Sequence, residues 1–242
     1  MNSTIKKIRK ELQENAEIDY RKSSKNFFKE PIKIYGTKTP VVRRIADKYY
    51  KEIDHLTKEQ IYELAEELYK SNYNEESIVA SQWVMKLQPK YEASDFKTFE
   101  KWIDEYLNNW SKVDDFCTHA MHQLLIKFPH TNKKIEIWTK SENKWLRRAS
   151  AVTYVSWGKK DKACKFYEKF LPDVFKTAES LLTDEEDLVQ KGYGWMLKYT
   201  AICYPNQVYQ FLAKHKNNMT RIALRYAIEK MPQEMRAEIM QK

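Results

Sequence analysis

Two neighbouring stretches decide the fold class: residues 57–70, TKEQIYELAEELYK, and residues 76–87, ESIVASQWVMKL. The apolar residues of the first stretch recur at the spacing of one face of an α-helix, at Ile61, Leu64, Ala65 and Leu68. Thr57 followed by Gln60 is the pattern of a capping box, which predicts that a helix begins at residue 58. The second stretch is denser in apolar residues, so it predicts a second and more deeply buried helix.

Similar segments recur along the chain, and each is followed by a proline that predicts a helix end. The breaks fall at Gln88-Pro89, Phe128-Pro129, Leu171-Pro172, Tyr204-Pro205 and Met231-Pro232. Their spacing of about 30 to 45 residues is typical of two-helix repeats. The segments IVASQWVMKL, WLRRASAVTYV, QKGYGWMLKYT and RIALRYAIEKM mix small with large apolar residues, which predicts inner helices of stacked pairs. We therefore predict an all-α fold, a superhelix of HEAT-like or armadillo type.

The domain organisation is predicted to be simple. Residues 1–242 are expected to form one HEAT-like repeat domain, with N-terminal helices over about residues 1–50 and stacked helix pairs from there to the C-terminus. The most irregular stretch, residues 22–40, contains a glycine and two prolines. We expect it to join an N-terminal helix to the repeats.

Composition excludes several classes of protein. Only 4 glycines and 7 prolines occur, too few for the tight turns of a β-sandwich or barrel. The net charge of +9 favours a polyanionic partner such as nucleic acid, held in a concave basic groove, although an anionic membrane surface would also suit it. No apolar run is long enough to span a membrane, and the charged N-terminus does not resemble a signal peptide.

The cysteines are three in number and widely spaced, at Cys117, Cys164 and Cys203. This pattern predicts free thiols in a reducing cytoplasm rather than a disulfide framework.

Histidine and carboxylate spacing offers one weak metal hypothesis. His119 and His122 lie three residues apart on a predicted helix, and Asp115 precedes His119 by one turn. Local spacing provides no further ligand, so a helix-surface or capping role is favoured and no metal or cofactor is predicted. The motifs GxxxxGK[ST], GxGxxG, GxSxG and HExxH are absent from the sequence.

The segment 108–116, NNWSKVDDF, carries the most informative pair. Trp110 and Asp114 are four residues apart and project from one face if the segment is helical. An indole face beside a carboxylate attracts a cation. The alternative is that Trp110 is a core residue and Asp114 an N-terminal helix charge.

Two later segments add candidate binding residues. Residues 144–150, KWLRRAS, place Arg147 and Arg148 at a predicted helix start, where an arginine can clamp a phosphate. Residues 190–197, QKGYGWML, place Trp195 after two glycines. A glycine inside a helix costs about 1 kcal/mol against alanine, so two of them indicate close approach of another helix or a ligand.

These motifs together resemble the AlkD-like DNA alkylation repair family. The patterns WxxVD, WLxRA and QKxxGW occur in that order, and the leading segment FFKEPIKIYGTKTP looks like the family's N-terminal signature. The resemblance extends from about residue 20 to about residue 230. It implies a superhelix of HEAT-like repeats that holds duplex DNA and hydrolyses the N-glycosidic bond of N3- and N7-alkylated purines.

The resemblance also implies roles for individual residues. Asp114 matches the catalytic carboxylate, Trp110 and Trp195 the tryptophans of the cleft, and Arg148 the arginine near the scissile nucleotide. The N-terminal aromatic of the site falls on Phe27 or Phe28. Active members can carry tyrosine there, and phenylalanine lacks its hydroxyl group.

The residue types suit this chemistry. An N3- or N7-alkylated purine is cationic and leaves without protonation, so the transition state needs only a stabilised oxocarbenium-like sugar and a positioned water. Asp114 can provide both by charge and hydrogen bonding. Trp110 and Trp195 can hold the cationic nucleotide through their ring faces. The family can act on a lesion left in the duplex, so no deep base pocket is required.

We therefore expect a monomeric DNA glycosylase of base excision repair, acting on double-stranded DNA with alkylated purines. The further DNA-binding residues predicted are all basic: Lys191, Arg147, Arg43, Arg44, Arg221 and Arg225. Two alternatives stay open. One is a non-catalytic family member that binds DNA, including branched or damaged DNA; the other is a HEAT-repeat protein scaffold, which leaves the positive charge unexplained.

Overall fold

A computed structural model describes residues 3–241, which are mostly α-helical. They divide into two compact units, the first ending at Leu124 and the second beginning at Leu125. The first unit contains α1 (Ser3–Glu14), α2 (Ile18–Lys25), α3 (Thr39–Tyr50), α4 (Lys58–Lys70), α5 (Asn74–Lys86), α6 (Asp95–Glu105) and α7 (Trp110–Phe116). A π-helical turn, Cys117–Met121, joins α7 to α8 (His122–Lys127), which crosses into the second unit.

The second unit is also built of helices. It contains α9 (Asn132–Trp138), α10 (Lys144–Val152), α11 (Lys160–Ser180), α12 (Asp187–Cys203), α13 (Pro205–His215), α14 (Arg221–Ala227) and α15 (Gln233–Met240). Within it α12 packs against α10, α11, α13 and α14. The helix α12 is therefore the centre of this unit.

The all-α class predicted from the sequence is confirmed. Helix α4 begins and ends where the periodicity places it, and both hydrogen bonds of the predicted capping box are present between Thr57 and Gln60. Residues 26–38, inside the irregular stretch, contain no helix. Within residues 3–241 no helix is long and apolar enough to cross a membrane. The single domain and the concave groove stay predictions.

The helix break predicted at Leu171-Pro172 is wrong. Pro172 lies inside α11, which continues to Ser180. Phe170 and Val174, on either side of it, are buried with exposures of 3% and 0%. Their burial on the core side of α11 favours a continuous helix, and it offsets the local cost of proline in a helix interior.

The prediction of free thiols is also wrong for two of the three cysteines. Cys164 and Cys203 form a disulfide, with their Cα atoms 5.3 Å apart, whereas Cys117 is buried and not part of it. Cys164 lies in the first turns of α11 and Cys203 is the last residue of α12. The sequence separation of 39 residues hides this pairing, because only the packing of α11 against α12 brings the two ends together.

Two glycines of α12 provide a matched test of helix packing. A Cβ atom on Gly194 would lie 2.8 Å from the backbone oxygen of Ala223 in α14, whereas one on Gly192 would lie no closer than 3.4 Å to its nearest neighbour, the side chain of Arg148. We expect Gly194→Ala to lower the free energy of unfolding by about 1 to 3 kcal/mol through overpacking. Gly192→Ala should be neutral or stabilising, because alanine favours helix. Urea denaturation checks both, and equal effects of the two variants would contradict the close approach at Gly194.

Candidate active site

Trp110 and Asp114 lie one turn apart on α7, which begins at Trp110. The helix is capped by the side chain of Asn109, which accepts a hydrogen bond from the Lys112 amide at 3.0 Å. Trp110 and Asp114 are both half-buried, so Trp110 is not a core residue. Because they are four residues apart on a formed helix, both project from one face, as the spacing predicts.

The end of α7 is a π-helical turn, a feature that is often found at functional sites. In it the Thr118 hydroxyl donates to the backbone oxygen of Asp114 at 2.7 Å. The ring Nδ1 of His119 lies 2.7 Å from the backbone oxygen of Asp115. Side chains thus bond to the backbone carbonyls of Asp114 and Asp115, and these bonds help to order the backbone that carries Asp114.

The segment before α3 covers Trp110. The ring of Phe28 stacks on that of Trp110, with centroids 5.1 Å apart and an angle of 18°. The Trp110 indole N–H donates to the backbone oxygen of Phe27 at 3.4 Å, and the Phe27 side chain is 75% exposed. The structure thus separates the two candidates for the N-terminal aromatic: Phe28 contacts Trp110 through its ring, and Phe27 does so only through its backbone.

These rings line a cleft of about 210 Å³ in the first unit, together with Tyr20 of α2 and the polar side chains of Thr37, Asn74 and Ser111. Tyr20 is not among the residues predicted from the sequence. It is a tyrosine lining the same cleft as Phe28, which has no hydroxyl group. No local pattern marks it, because it reaches the cleft only through the packing of α2 beside residues 27–37.

Two consecutive glutamates at the start of α5 hold in place the signature segment, residues 27–40, that resembles the family's N-terminal signature. The buried Glu75 carboxylate accepts hydrogen bonds from the backbone amides of Tyr35, Gly36 and Thr37, at 3.1, 2.8 and 3.2 Å. Glu76, with no exposed surface, accepts one from the Tyr35 hydroxyl at 2.6 Å and pairs with Arg9 at 2.9 Å. Burial, followed by the bond to Glu76, raises the pKa of Tyr35. The signature therefore has a structural role in placing the segment that covers Trp110.

Asp115, next to Asp114 in sequence, faces a different environment. It forms an ion pair with Arg43 at 2.7 Å, and Arg43 also donates to Gln82 at 3.3 Å. Burial raises the pKa of Asp115, while the nearby Arg43 and His119 act in the opposite direction. The predicted DNA-binding residue Arg43 is therefore engaged inside the unit, whereas Arg44 is exposed.

Lys112 lies between Trp110 and Asp114 in the sequence of α7, and its side chain is buried. Its ammonium group donates to the backbone and side-chain oxygens of Asn72 at 3.2 and 2.5 Å and to Asn108 at 3.0 Å. Its side chain is only 2% exposed, and burial lowers its pKa to about 8.

Stability should therefore depend on pH above neutrality. Between pH 8 and 10.5 the unfolded chain keeps the Lys112 proton and the folded chain releases it, so stability rises with pH. We expect a gain of about 1 to 2 kcal/mol in the free energy of unfolding from pH 8 to 9.5, measured by urea denaturation. Lys112→Met has no proton to release and should lack the gain. A gain of the same size in Lys112→Met would contradict the assignment.

In the second unit, Arg147 and Arg148 have separate environments. Arg148 is 5% exposed, donates to the backbone oxygen of Leu188, and lies beside Gly192. Arg147 forms an ion pair with Asp184 at 2.6 Å and donates to the backbone oxygen of Ser141 at 2.8 Å. The close approach predicted from the glycines thus exists: at Gly192 of α12 the neighbouring group is the side chain of Arg148 in α10.

The other basic candidates of this unit differ in exposure. Lys191 pairs with Asp187 at 3.2 Å, whereas Arg221 and Arg225 are exposed and one turn apart on α14. Trp195 is half-buried, and its ring meets that of Trp157 edge to face with centroids 6.0 Å apart. Trp157 is not among the residues predicted from the sequence. Within residues 3–241 no group of three or more His, Cys, Asp or Glu side chains is arranged to hold a metal ion.

Comparison with known proteins decides the family. Residues 8–231 match the family described as DNA alkylation repair enzyme. This chain is a member of that family. A solved structure described as a predicted DNA alkylation repair enzyme from Enterococcus faecalis is similar in fold, with a TM-score of 0.77, 17% identity, and coverage of 90% of this chain and 98% of that chain. No curated protein matches the sequence.

In this DNA alkylation repair enzyme the predicted residues fall into two groups. Trp110, Asp114 and Phe28 belong to the first unit, and Arg148 and Trp195 to the second. Some of the predicted cations are engaged in ion pairs within their own unit: Arg43, Arg147 and Lys191. Others are exposed: Arg44, Arg221 and Arg225. Membership supports a role in DNA repair and binding to DNA.

Proposed function

We propose that this DNA repair enzyme is an alkylpurine DNA glycosylase. It hydrolyses the N-glycosidic bond of N3- and N7-alkylated purines in duplex DNA, as a cytoplasmic monomer that begins base excision repair. The observation that carries the proposal is the pair of half-buried side chains on α7, an indole and a carboxylate one turn apart.

The proposed chemistry needs charge stabilisation rather than acid catalysis. The alkylated base is already cationic, so its bond to the sugar breaks without protonation, and positive charge develops on the sugar. The Asp114 carboxylate stabilises that charge and orients the water that attacks the anomeric carbon. The ring of Trp110 attracts the same positive charge through its face.

Arg148 and Trp195 are proposed to bind the damaged strand. The Arg148 side chain is buried and donates to the backbone oxygen of Leu188, so it is pre-organised, which lowers the entropy lost when a guanidinium contacts a phosphate. Tyr20 is proposed to offer its hydroxyl to DNA at the cleft beside Phe28 and Trp110.

The direct test uses duplexes with a single N7-methylguanine or N3-methyladenine. Incubation with the protein should release the alkylated base and leave an abasic site, detected by alkaline strand cleavage, while the unmodified duplex stays intact. Tight binding without release from either lesion would contradict catalysis and favour the non-catalytic DNA-binding alternative.

The affinity for duplex DNA should fall steeply with salt, because phosphate contacts release counterions. Arg221 and Arg225 are exposed on one helix, so the double variant R221Q/R225Q should bind more weakly and lower the log–log salt slope by about 2. Arg147→Gln is the matched control, because that guanidinium is paired with Asp184 and its loss should leave the slope unchanged. Fluorescence anisotropy at several salt concentrations measures both, and a slope unaltered by the double variant would contradict this contact.

A further inference from the structure

An exposed tryptophan marks a loop of the second unit to which no role has been assigned. Trp157 lies between α10 and α11, and 47% of its surface is accessible to solvent. Gly158 follows with a φ of +107°, a conformation suited to glycine, and no atom lies within 4 Å of where its Cβ would be. The loop therefore presents Trp157 at an open turn.

The charge around Trp157 is positive. The next residues, WGKKDK at 157–162, include three lysines and one aspartate, and every residue of this stretch is exposed. A large aromatic ring beside exposed lysines combines a stacking surface with charges that attract a polyanion. This composition suits a nucleotide, whose base stacks while its phosphate is neutralised.

The ring of Trp157 is also part of a larger aromatic group. It contacts Trp195 edge to face at 6.0 Å, and Trp195 contacts Tyr199 in the same way at 6.2 Å. Trp195 and Tyr199 are four residues apart on α12 and are half-buried. Packing against a rigid helix limits the freedom of Trp157, so less entropy is lost when a ligand stacks on it.

We propose that Trp157 is a stacking site for an unpaired base of DNA. A base inside a duplex has both faces covered by its neighbours, so only an unpaired base can offer a face to the indole. The lysines that follow would contact the phosphates on either side of that base. The proposal deepens the proposed function, since it rests on DNA binding, but it requires neither an alkylated base nor excision.

The test compares two unmodified duplexes of equal length, one fully paired and one with a single unpaired 2-aminopurine. The wild-type protein should bind the second about tenfold more tightly by anisotropy, and stacking should quench the 2-aminopurine emission. Trp157→Leu keeps apolar bulk without a ring, so it should lose the preference and the quenching while binding the paired duplex normally. Trp157→Phe should retain part of both. Ile137→Ala, at a side chain of α9 that is 69% exposed, is the control and should change neither.

Equal affinity of the wild-type protein for the two duplexes, or absence of quenching, would overturn the inference, and so would an unchanged preference in Trp157→Leu. These outcomes are independent of catalysis. A protein that prefers the unpaired base yet releases no alkylated base would refute the proposed glycosylase and support the stacking site. A protein that releases the alkylated base but binds the two duplexes equally would support the proposed glycosylase and refute the stacking site.

Discussion

Asp114→Asn is expected to lower the rate of alkylpurine release by about two to three orders of magnitude. Asparagine keeps the size and much of the hydrogen bonding of aspartate but removes the negative charge. A single preorganised electrostatic contact to the transition state can contribute about 3 to 4 kcal/mol. Single-turnover excision of N7-methylguanine from a duplex measures the effect. Affinity for DNA should stay the same or rise, because a negative charge leaves a surface that binds a polyanion.

The control for this variant must remove a carboxylate charge without disturbing the fold. Asp19 on α2 is exposed and lies in the same unit, so Asp19→Asn should leave excision unchanged. Comparable loss of excision in Asp19→Asn and Asp114→Asn would mean that general charge, rather than the position of Asp114, matters.

Asp115 is less suitable as a control than its position on the helix predicts. From the sequence alone, Asp115→Asn is expected to be mild because the side chain points about 100° away from Asp114 around α7. The ion pair with Arg43 at 2.7 Å changes this expectation, because the variant leaves a partly buried guanidinium without its charged partner. We expect Asp115→Asn to lower the melting temperature while each folded molecule still excises the base.

Glu76→Gln is expected to lower the free energy of unfolding by about 3 to 5 kcal/mol. The Glu76 side chain has no exposed surface, pairs with Arg9 at 2.9 Å, and accepts a bond from the Tyr35 hydroxyl at 2.6 Å. Removing one partner of a buried ion pair leaves the other charge poorly solvated, which is strongly destabilising. Urea denaturation measures the loss. Because Tyr35 and Phe28 belong to the same non-helical segment, residues 26–38, the Phe28–Trp110 stack should loosen as well.

An exposed ion pair in the same unit provides the comparison. Lys10 and Glu14 are 3.7 Å apart on α1 and both are largely exposed. Glu14→Gln should leave stability unchanged, because water and salt screen such a pair. If Glu14→Gln and Glu76→Gln were equally mild, the carboxylate of Glu76 would not anchor the signature segment.

The helical class and the candidate pair could be read from the sequence because both depend on local spacing. Apolar periodicity and the Thr57–Gln60 cap define α4, and four residues between Trp110 and Asp114 place both on one face of any helix. A proline does not by itself end a helix. Pro172 lies inside α11, where Phe170 and Val174 bury the same face of a continuous helix.

The sequence by itself thus determined the all-α class, the helix that carries Trp110 and Asp114, the excess of positive charge, and the motifs that resemble the family. Only the tertiary structure decided which partners those residues have. Arg43 and Arg147 were predicted to bind DNA, yet each is paired with an aspartate 72 or 37 residues away. The place of Tyr20 in the cleft, the contact of Trp157 with Trp195 and the Cys164–Cys203 disulfide likewise depend on tertiary packing. The physical reason is that helical periodicity is a local property, whereas the neutralisation of a charge or the pairing of two thiols depends on which side chains the packed core brings within a few ångströms.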